Sequence, residues 1–183
     1  MKKLIFIITV LWVASSISYA EKLMFSVSGH SLFPADSNFK DVYKNSILYP
    51  ELRAGVKVFK DIYLWGSYGF FSVEGKTPNF QLEAKSTQNF ISFGVGYLLS
   101  VTKSISLDAA VGGSFINYKE EAMSLEVTGS KLGLRFDGGL MYSIGKLFFA
   151  RLSAGYMTAS DSVEGVEIKL GGISAGLGIG IKL

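Results

Sequence analysis

The sequence predicts an all-β protein, an eight-stranded antiparallel up-and-down β-barrel that spans a membrane. Three observations lead to this prediction. The chain begins with an export signal, most of it carries apolar residues at every second position, and the links between these segments are alternately short and long. A closed barrel satisfies every backbone hydrogen bond within its own sheet, which a membrane-spanning β structure requires.

The first twenty residues have the pattern of a cleaved signal peptide. Lys2 and Lys3 precede an uncharged apolar stretch, and Ser18 and Ala20 place small residues before a cut after Ala20. The apolar stretch is shorter than the roughly 20 residues of a membrane-spanning helix, which favours removal over a retained anchor. We therefore expect residues 1–20 to be a signal peptide and residues 21–183 to form one barrel domain.

The composition excludes several classes of protein. The chain has no cysteine, so a disulfide scaffold and thiolate metal sites are excluded. Removal of Lys2 and Lys3 leaves 16 basic residues (18 minus 2) against 15 acidic ones, a mature net charge of about +1 without any basic run. We therefore expect no nucleic-acid partner, no metal and no cofactor.

Eight segments alternate between apolar residues and small or polar ones, which is the two-residue period of a β-strand. The last segment is the clearest, because Ile173, Leu177 and Ile181 share one face while Gly176 and Gly180 share the other. The predicted strands are residues 23–29, 52–58, 62–71, 89–99, 105–115, 132–142, 148–156 and 173–183.

The links between the predicted strands determine the topology. Short links fall at residues 59–61, 102–104 and 143–145, whereas long polar links fall at residues 30–50, 73–86, 119–130 and 158–169. Short turns at one end and longer loops at the other are typical of bacterial outer-membrane barrels. Both chain ends are then expected on the short-turn side, in the periplasm.

The less apolar face of each strand distinguishes a membrane barrel from a soluble one. That face is mainly Gly, Ser and Ala, which suits a narrow lumen better than a water-exposed surface. A membrane helix is disfavoured, because the longest uncharged mature run, residues 86–102, carries glycines at a spacing of two. Aromatic residues near the strand ends are candidates for interfacial girdles: Tyr49, Tyr63, Tyr97, Tyr118, Tyr142 and Tyr156.

With its signal peptide, eight alternating strands and alternately short and long links, the sequence resembles the small outer-membrane barrels of the OmpA/OmpX and opacity-protein type. The resemblance implies outer-membrane lipids and lipopolysaccharide as surroundings and assembly by the barrel-assembly machinery. One departure is visible: these proteins usually end on Phe or Trp, which that machinery recognises, whereas this chain ends on Leu183.

The period of two also predicts which charges face the lumen. They are Arg53, Lys57, Asp108, Arg135, Asp137, Arg151 and Lys182. A tight turn at residues 143–145 would place Asp137 opposite Arg151 as a cross-strand ion pair. We favour a paired network that fills the interior, helped by Glu51 near the rim, over an anion-preferring pore or a weak site for an acidic ligand.

The single histidine raises a catalytic alternative. Lipid A acyltransferases and deacylases are barrels of similar size that use His with Ser and a carboxylate, and Asp161 with Ser162 could complete such a set around His30. Nothing in the spacing requires this, and a lone histidine at a strand end is more often a solvated loop residue. We therefore expect no catalytic residues.

The leading hypothesis is a non-enzymatic anchor that presents four outer loops for contact with a surface or host ligand. A narrow pore for ions or small solutes is the first alternative, and a lipid A-modifying enzyme that uses His30 is the second. The link at residues 30–50 is more apolar than a solvated loop needs to be. We expect it to fold over the rim of the barrel rather than to bind a surface.

Overall fold

A computed structural model describes residues 23–78, 80–122, 125–163 and 165–183, so the predicted signal peptide and its cut site lie outside the described residues. The elements are β1 (Leu23–Pro34), α1 (Ser37–Val42), β2 (Ile47–Phe59), β3 (Ile62–Lys76), β4 (Glu83–Ser100), β5 (Ile105–Ala122), β6 (Leu125–Ile144), β7 (Phe148–Val163) and β8 (Val166–Lys182).

The eight strands form a closed barrel in which each strand pairs antiparallel with its neighbours in the chain. β8 closes on β1, where the backbone N–H of Leu23 donates to the carbonyl of Leu183. Among the described residues, no helix is long and apolar enough to cross a membrane. The predicted fold, an eight-stranded antiparallel up-and-down barrel, is confirmed.

The outer surface of the barrel carries an apolar belt. Residues such as Phe25, Leu52, Phe93, Leu134 and Leu177 point outward and are between two fifths and two thirds exposed. A belt of this extent would be costly in water, so it faces lipid. Of the six tyrosines predicted as girdle residues, three lie on the outer surface (Tyr97, Tyr142, Tyr156), whereas three are buried in the lumen (Tyr49, Tyr63, Tyr118), where the girdle prediction was wrong.

The strands extend further at the outer end than the sequence predicted. All four long links are shorter than predicted, at residues 35–46, 77–82, 123–124 and 164–165, because the strands on either side continue into them. The alternation of polarity ends at the edge of the membrane, where both faces of a strand meet water. In β5, for example, the outward residues change from Val111 and Phe115 to Asn117, Lys119 and Glu121.

Four strands rise above the rest of the barrel. β3, β4, β5 and β6 stay paired with one another up to the Lys76–Glu83 and Ala122–Leu125 pairs. Pairing of β2 with β3 ends at Glu51–Gly69, and pairing of β6 with β7 ends at Leu134–Thr158. We call the extension, residues 70–76, 83–89, 117–122 and 125–133, the outer sheet.

Loop 1, residues 35–46, crosses the outer mouth of the barrel. The Asp36 carboxylate caps α1 by accepting from the N–H of Phe39, and it also accepts from the N–H of Lys169 on β8. At the other end of α1, Tyr43 lies against Gly75 of β3 and donates its hydroxyl to the Glu120 carboxylate of β5. The loop is thereby fixed to both sides of the rim.

Candidate functional site

The lumen is filled in three layers. An outer apolar cluster lies under loop 1: Leu32, Ile47, Tyr49, Phe71, Val73, Phe90, Ile116, Tyr118, Met157, Ala159 and Leu170. A periplasmic apolar cluster lies near the short turns: Met24, Tyr63, Trp65, Leu98, Ala110, Met141 and Phe149. Charged side chains lie between the two clusters, so apolar packing separates them from water on both sides.

The charged layer is organised around Arg135. Its guanidinium lies 2.7 Å from Glu51 Oε2 and 3.0 Å from Asp137 Oδ2, and it also donates to the hydroxyls of Ser67 and Ser92. Arg53 Nη1 lies 2.9 Å from the same Asp137 oxygen, Oδ2. Because a buried charge is costly unless it is paired and hydrogen-bonded, these contacts are what allow the charges to lie here.

A second ion pair completes the layer. Arg151 Nη2 lies 2.8 Å from Asp108 Oδ2, and the hydroxyl of Tyr63 donates to the same oxygen at 3.0 Å. A cavity of about 20 Å³ adjoins Arg53, Asp108 and Arg151, enough for roughly one water molecule. The layer thus holds three arginines and three carboxylates in balance, where the sequence had suggested an excess of positive charge.

Five of the seven predicted lumen residues lie in this layer: Arg53, Asp108, Arg135, Asp137 and Arg151. Lys57 and Lys182 are half-buried and lie nearer the periplasmic end. There the ammonium of Lys182 donates to Ser143 Oγ at 2.8 Å and lies 5.5 Å from the centre of the Phe149 ring. The two lysines therefore lie outside the ion pairs of the central layer.

The predicted pairing of Asp137 with Arg151 was wrong. Asp137 lies opposite Gly155, and Arg151 lies opposite Met141. The sequence suggested a turn at residues 143–145, but β6 continues to Ile144, which pairs with Phe148. The turn is therefore centred on Lys146, and this shift moves every partner along β7.

Glu51 lies deeper in the barrel than the sequence predicts. It was expected near the rim, but only 1% of its surface is exposed, and it belongs to the central layer. Its strand was predicted to begin at Leu52, whereas β2 begins at Ile47. Glu51 has the same parity as Arg53, so a strand extended by a single residue would have placed it on the lumen face.

His30 is also buried, which contradicts the expectation of a solvated loop residue. It stacks on Tyr49, and its Nε2 lies 3.0 Å from Ser28 Oγ and 3.9 Å from Glu51 Oε1. A catalytic relay needs the hydroxyl and the carboxylate on opposite ring nitrogens, but here both face the same one. Asp161 binds Tyr118 and Lys131 instead, so it does not form a set with His30.

Outside the membrane, Glu120 ties loop 1 to the outer sheet. Its carboxylate accepts from the hydroxyls of Tyr43 and Ser86. Burial raises the pKa of Glu120 above its ordinary value, although these hydrogen bonds act in the opposite direction. Within the described ranges, no cluster of three or more His, Cys, Asp or Glu side chains could hold a metal ion.

A closed eight-stranded barrel with short turns at one end and an apolar outer belt has the fold of the small outer-membrane barrels of the OmpA/OmpX type. No protein-family model matches the sequence, and no curated protein matches it either. Solved structures do match, at sequence identities so low that they establish the fold alone.

Three of these structures illustrate the similarity. The outer-membrane protein OprG of Pseudomonas aeruginosa is 14% identical, with a TM-score of 0.71 over 90% of this chain and 96% of that chain. Neisserial surface protein A is 12% identical, with a TM-score of 0.68 over 91% and 100%. The attachment invasion locus protein Ail of Yersinia pestis is 15% identical, with a TM-score of 0.59 over 90% and 100%.

Proposed function

We propose that this protein is a non-enzymatic integral protein of the outer membrane, exported by a signal peptide cut after Ala20, whose barrel anchors an outward-facing contact surface. The observation that carries the proposal is the filled lumen. In the part of the chain that the structure describes, two apolar clusters and a charge-balanced layer between them leave no wide polar path for solutes. An interior of eight strands is just wide enough for side chains to fill.

The outer sheet supports a role in contact. Above Leu134, the described residues of β6 have no backbone pairing partner on the β7 side, although the side chain of Lys131 reaches Asp161, and most of residues 125–132 are exposed. An exposed strand edge offers free N–H and C=O groups that can pair with an extended segment of another protein. The edge of β3 is less open, because Val42 and Tyr43 of loop 1 lie against Gly75.

The charge of the outer end indicates which kind of surface partner it fits. Ail has been crystallised with the heparin analogue sucrose octasulfate, a polyanion. In this chain, acidic residues outnumber basic ones among the described residues of the outer end, which disfavours a polyanionic ligand there. An extended polypeptide that pairs with the β6 edge is the partner that the outer sheet fits better.

Single-channel conductance in a planar bilayer tests the anchor against the pore. The purified, refolded protein should be folded, as judged by heat-dependent gel mobility, and electrically silent. Reproducible conductance steps that fall when Arg135 or Arg151 is replaced would overturn the anchor proposal. A change in the lipid A mass spectrum that reverts with His30→Ala would instead establish the enzyme.

The contact role has its own test. Replacing Glu120–Val127 with Asn-Gly would shorten the β5–β6 hairpin to a two-residue turn flanked by the Lys119–Thr128 pair. We expect wild-type proteoliposomes to adhere to an immobilised panel of host-surface proteins, and proteoliposomes that carry this variant to lose that adhesion. Tyr43→Phe is the matched control, because it removes the hydrogen bond to Glu120 and keeps the hairpin. Equal adhesion of the trimmed variant would exclude the tip of the β5–β6 hairpin as the contact surface.

A further inference from the structure

The three short turns each present one exposed lysine. Lys60 lies between β2 and β3, Lys103 between β4 and β5, and Lys146 between β6 and β7. Among the described residues of this end, Asp61 is the acidic side chain that accompanies them. Because the turns follow every second strand, the lysines are distributed around the rim, and the chain ends occupy the fourth position.

The outer end has the opposite balance. Its described acidic residues outnumber its lysines. Two of those lysines are paired with carboxylates: Lys119 with Glu121 and Glu126, and Lys131 with Asp161. The two ends of the barrel therefore differ in charge. The basic end is the one with the short turns, which faces the periplasm in barrels of this class.

The residues beside the turn lysines are exposed and apolar. Phe59 precedes Lys60 and Ile62 lies two residues after it, Val101 lies two residues before Lys103, and Leu147 follows Lys146. The ammonium of Lys60 lies 5.5 Å from the centre of the Phe59 ring. Such apolar side chains would be costly if the turns projected into the aqueous periplasm. They indicate that the turns lie at the membrane interface, where lysine side chains extend from apolar surroundings to the headgroups.

We propose that Lys60, Lys103 and Lys146 form a lysine ring that selects anionic phospholipids, lipids with a phosphodiester headgroup of net negative charge, in the periplasmic leaflet. The ammonium groups supply the complementary charge, and the neighbouring apolar residues hold them at headgroup depth. Peptidoglycan is the other anionic partner on this side. Peptidoglycan lies in the aqueous periplasm, away from the bilayer, whereas the apolar residues beside the turns indicate that the turns lie at the membrane interface.

The inference rests on the proposed orientation in the outer membrane, but its test does not. The mature protein is reconstituted in phosphatidylcholine vesicles with spin-labelled phosphatidylglycerol or phosphatidylcholine, and electron paramagnetic resonance measures the association of each lipid. The wild type should prefer phosphatidylglycerol by roughly fivefold at low salt, and the preference should fall in 1 M NaCl. Conductance plays no part in this readout, so failure here is distinguishable from failure of the anchor proposal.

Two triple variants decide the location of the site. Lys60→Gln/Lys103→Gln/Lys146→Gln should reduce the preference to within about twofold of unity. The matched control, Lys44→Gln/Lys76→Gln/Lys169→Gln, removes three exposed lysines from the outer end and should retain it. No preference in the wild type, or an equal loss in both variants, would overturn the proposal. Equal association of both lipids with lysine-dependent sedimentation on purified peptidoglycan would overturn it in favour of the cell wall.

Discussion

Tyr63 crosses strand β4 at Gly96 to reach Asp108 on β5. A Cβ atom at Gly96 would lie 2.3 Å from Cζ of the tyrosine ring, and the hydroxyl beyond it donates to Asp108 Oδ2 at 3.0 Å. The glycine therefore makes room for the side chain that connects the periplasmic apolar cluster to the charged layer. A glycine in the middle of a strand is otherwise unfavourable.

Gly96→Ala should destabilise the barrel by about 1–3 kcal/mol, because the Tyr63 ring must move and its bond to Asp108 weakens. Urea unfolding in detergent micelles measures the loss. In protein prepared without residues 1–20, which include Trp12, Trp65 is the one tryptophan, so its fluorescence reports directly on the lumen.

Two controls accompany this prediction. Gly29→Ala should have little effect, since a Cβ at Gly29 would meet nothing within 4 Å. In a Tyr63→Ala background, Gly96→Ala should no longer be costly, because the obstructing ring is gone. An unchanged cost in that background would show that the close approach is not the reason for the glycine.

Arg151→Met should cost about 3–5 kcal/mol, because it leaves Asp108 buried without its cation. The double variant Asp108→Asn/Arg151→Met should recover much of that loss, since it contains no unpaired charge. The same urea titration compares the wild type, the two single variants and the double variant. A double variant as unstable as Arg151→Met would mean that the ion pair itself, and not the unpaired charge, determines stability.

Glu120→Gln should change the pH dependence of stability. The pKa of Glu120 in the folded protein is raised by burial, so the folded state binds this proton more tightly than the unfolded state. The stabilisation that this bound proton gives the folded state is fully present below the ordinary pKa of 4.5. It is lost as pH rises through the pKa that Glu120 has in the folded protein. Glutamine has no such titration and can still accept from Tyr43 and Ser86.

Unfolding at a series of pH values from 4 to 7 tests this prediction by comparing the two proteins. The free energy of unfolding of Glu120→Gln, relative to that of the wild type, should increase as pH rises from about 4.5, the ordinary pKa. Other groups titrate in both proteins, and taking the difference removes them. A difference that is independent of pH would contradict the burial of an ionisable carboxyl at this position.

Asp36→Ala should loosen loop 1. It removes the cap of α1 and the bond to Lys169, and loss of an N-cap alone costs about 1 kcal/mol. Trypsin should then cut faster after the exposed Lys44, and mass spectrometry of the fragments locates the cleavage. Asp41→Ala, in the same helix at an exposed position, should leave the rate unchanged. Equal cleavage of both variants would show that Asp36 does not hold the loop closed.

The sequence was enough to predict which side chains of each strand face lipid and which face the lumen. Inside the membrane, one face of each strand contacts lipid and the other faces a narrow lumen, so apolar and polar residues alternate with a period of two. The residues predicted in the lumen from this period include five that are buried there: Arg53, Asp108, Arg135, Asp137 and Arg151. The ends of the strands could not be predicted equally well. Beyond the membrane both faces are polar, and the pattern no longer separates strand from loop.

Which lumen side chains contact one another could be decided only from the tertiary structure. Parity assigns a residue to a face, but contacts such as Arg53 with Asp137 and Arg135 with Glu51 cross the barrel between strands that are distant in sequence. They depend on the register of every hairpin, and a turn shifted by two residues was enough to separate Asp137 from Arg151.

The sequence by itself determined the fold class and the division of residues between lipid and lumen, because both follow from a local two-residue period. The tertiary structure alone decided that Glu51 and His30 are buried, that four strands rise above the rest, and that apolar clusters close the lumen on both sides. These features arise only when the sheet closes on itself and brings the inward side chains of all eight strands together.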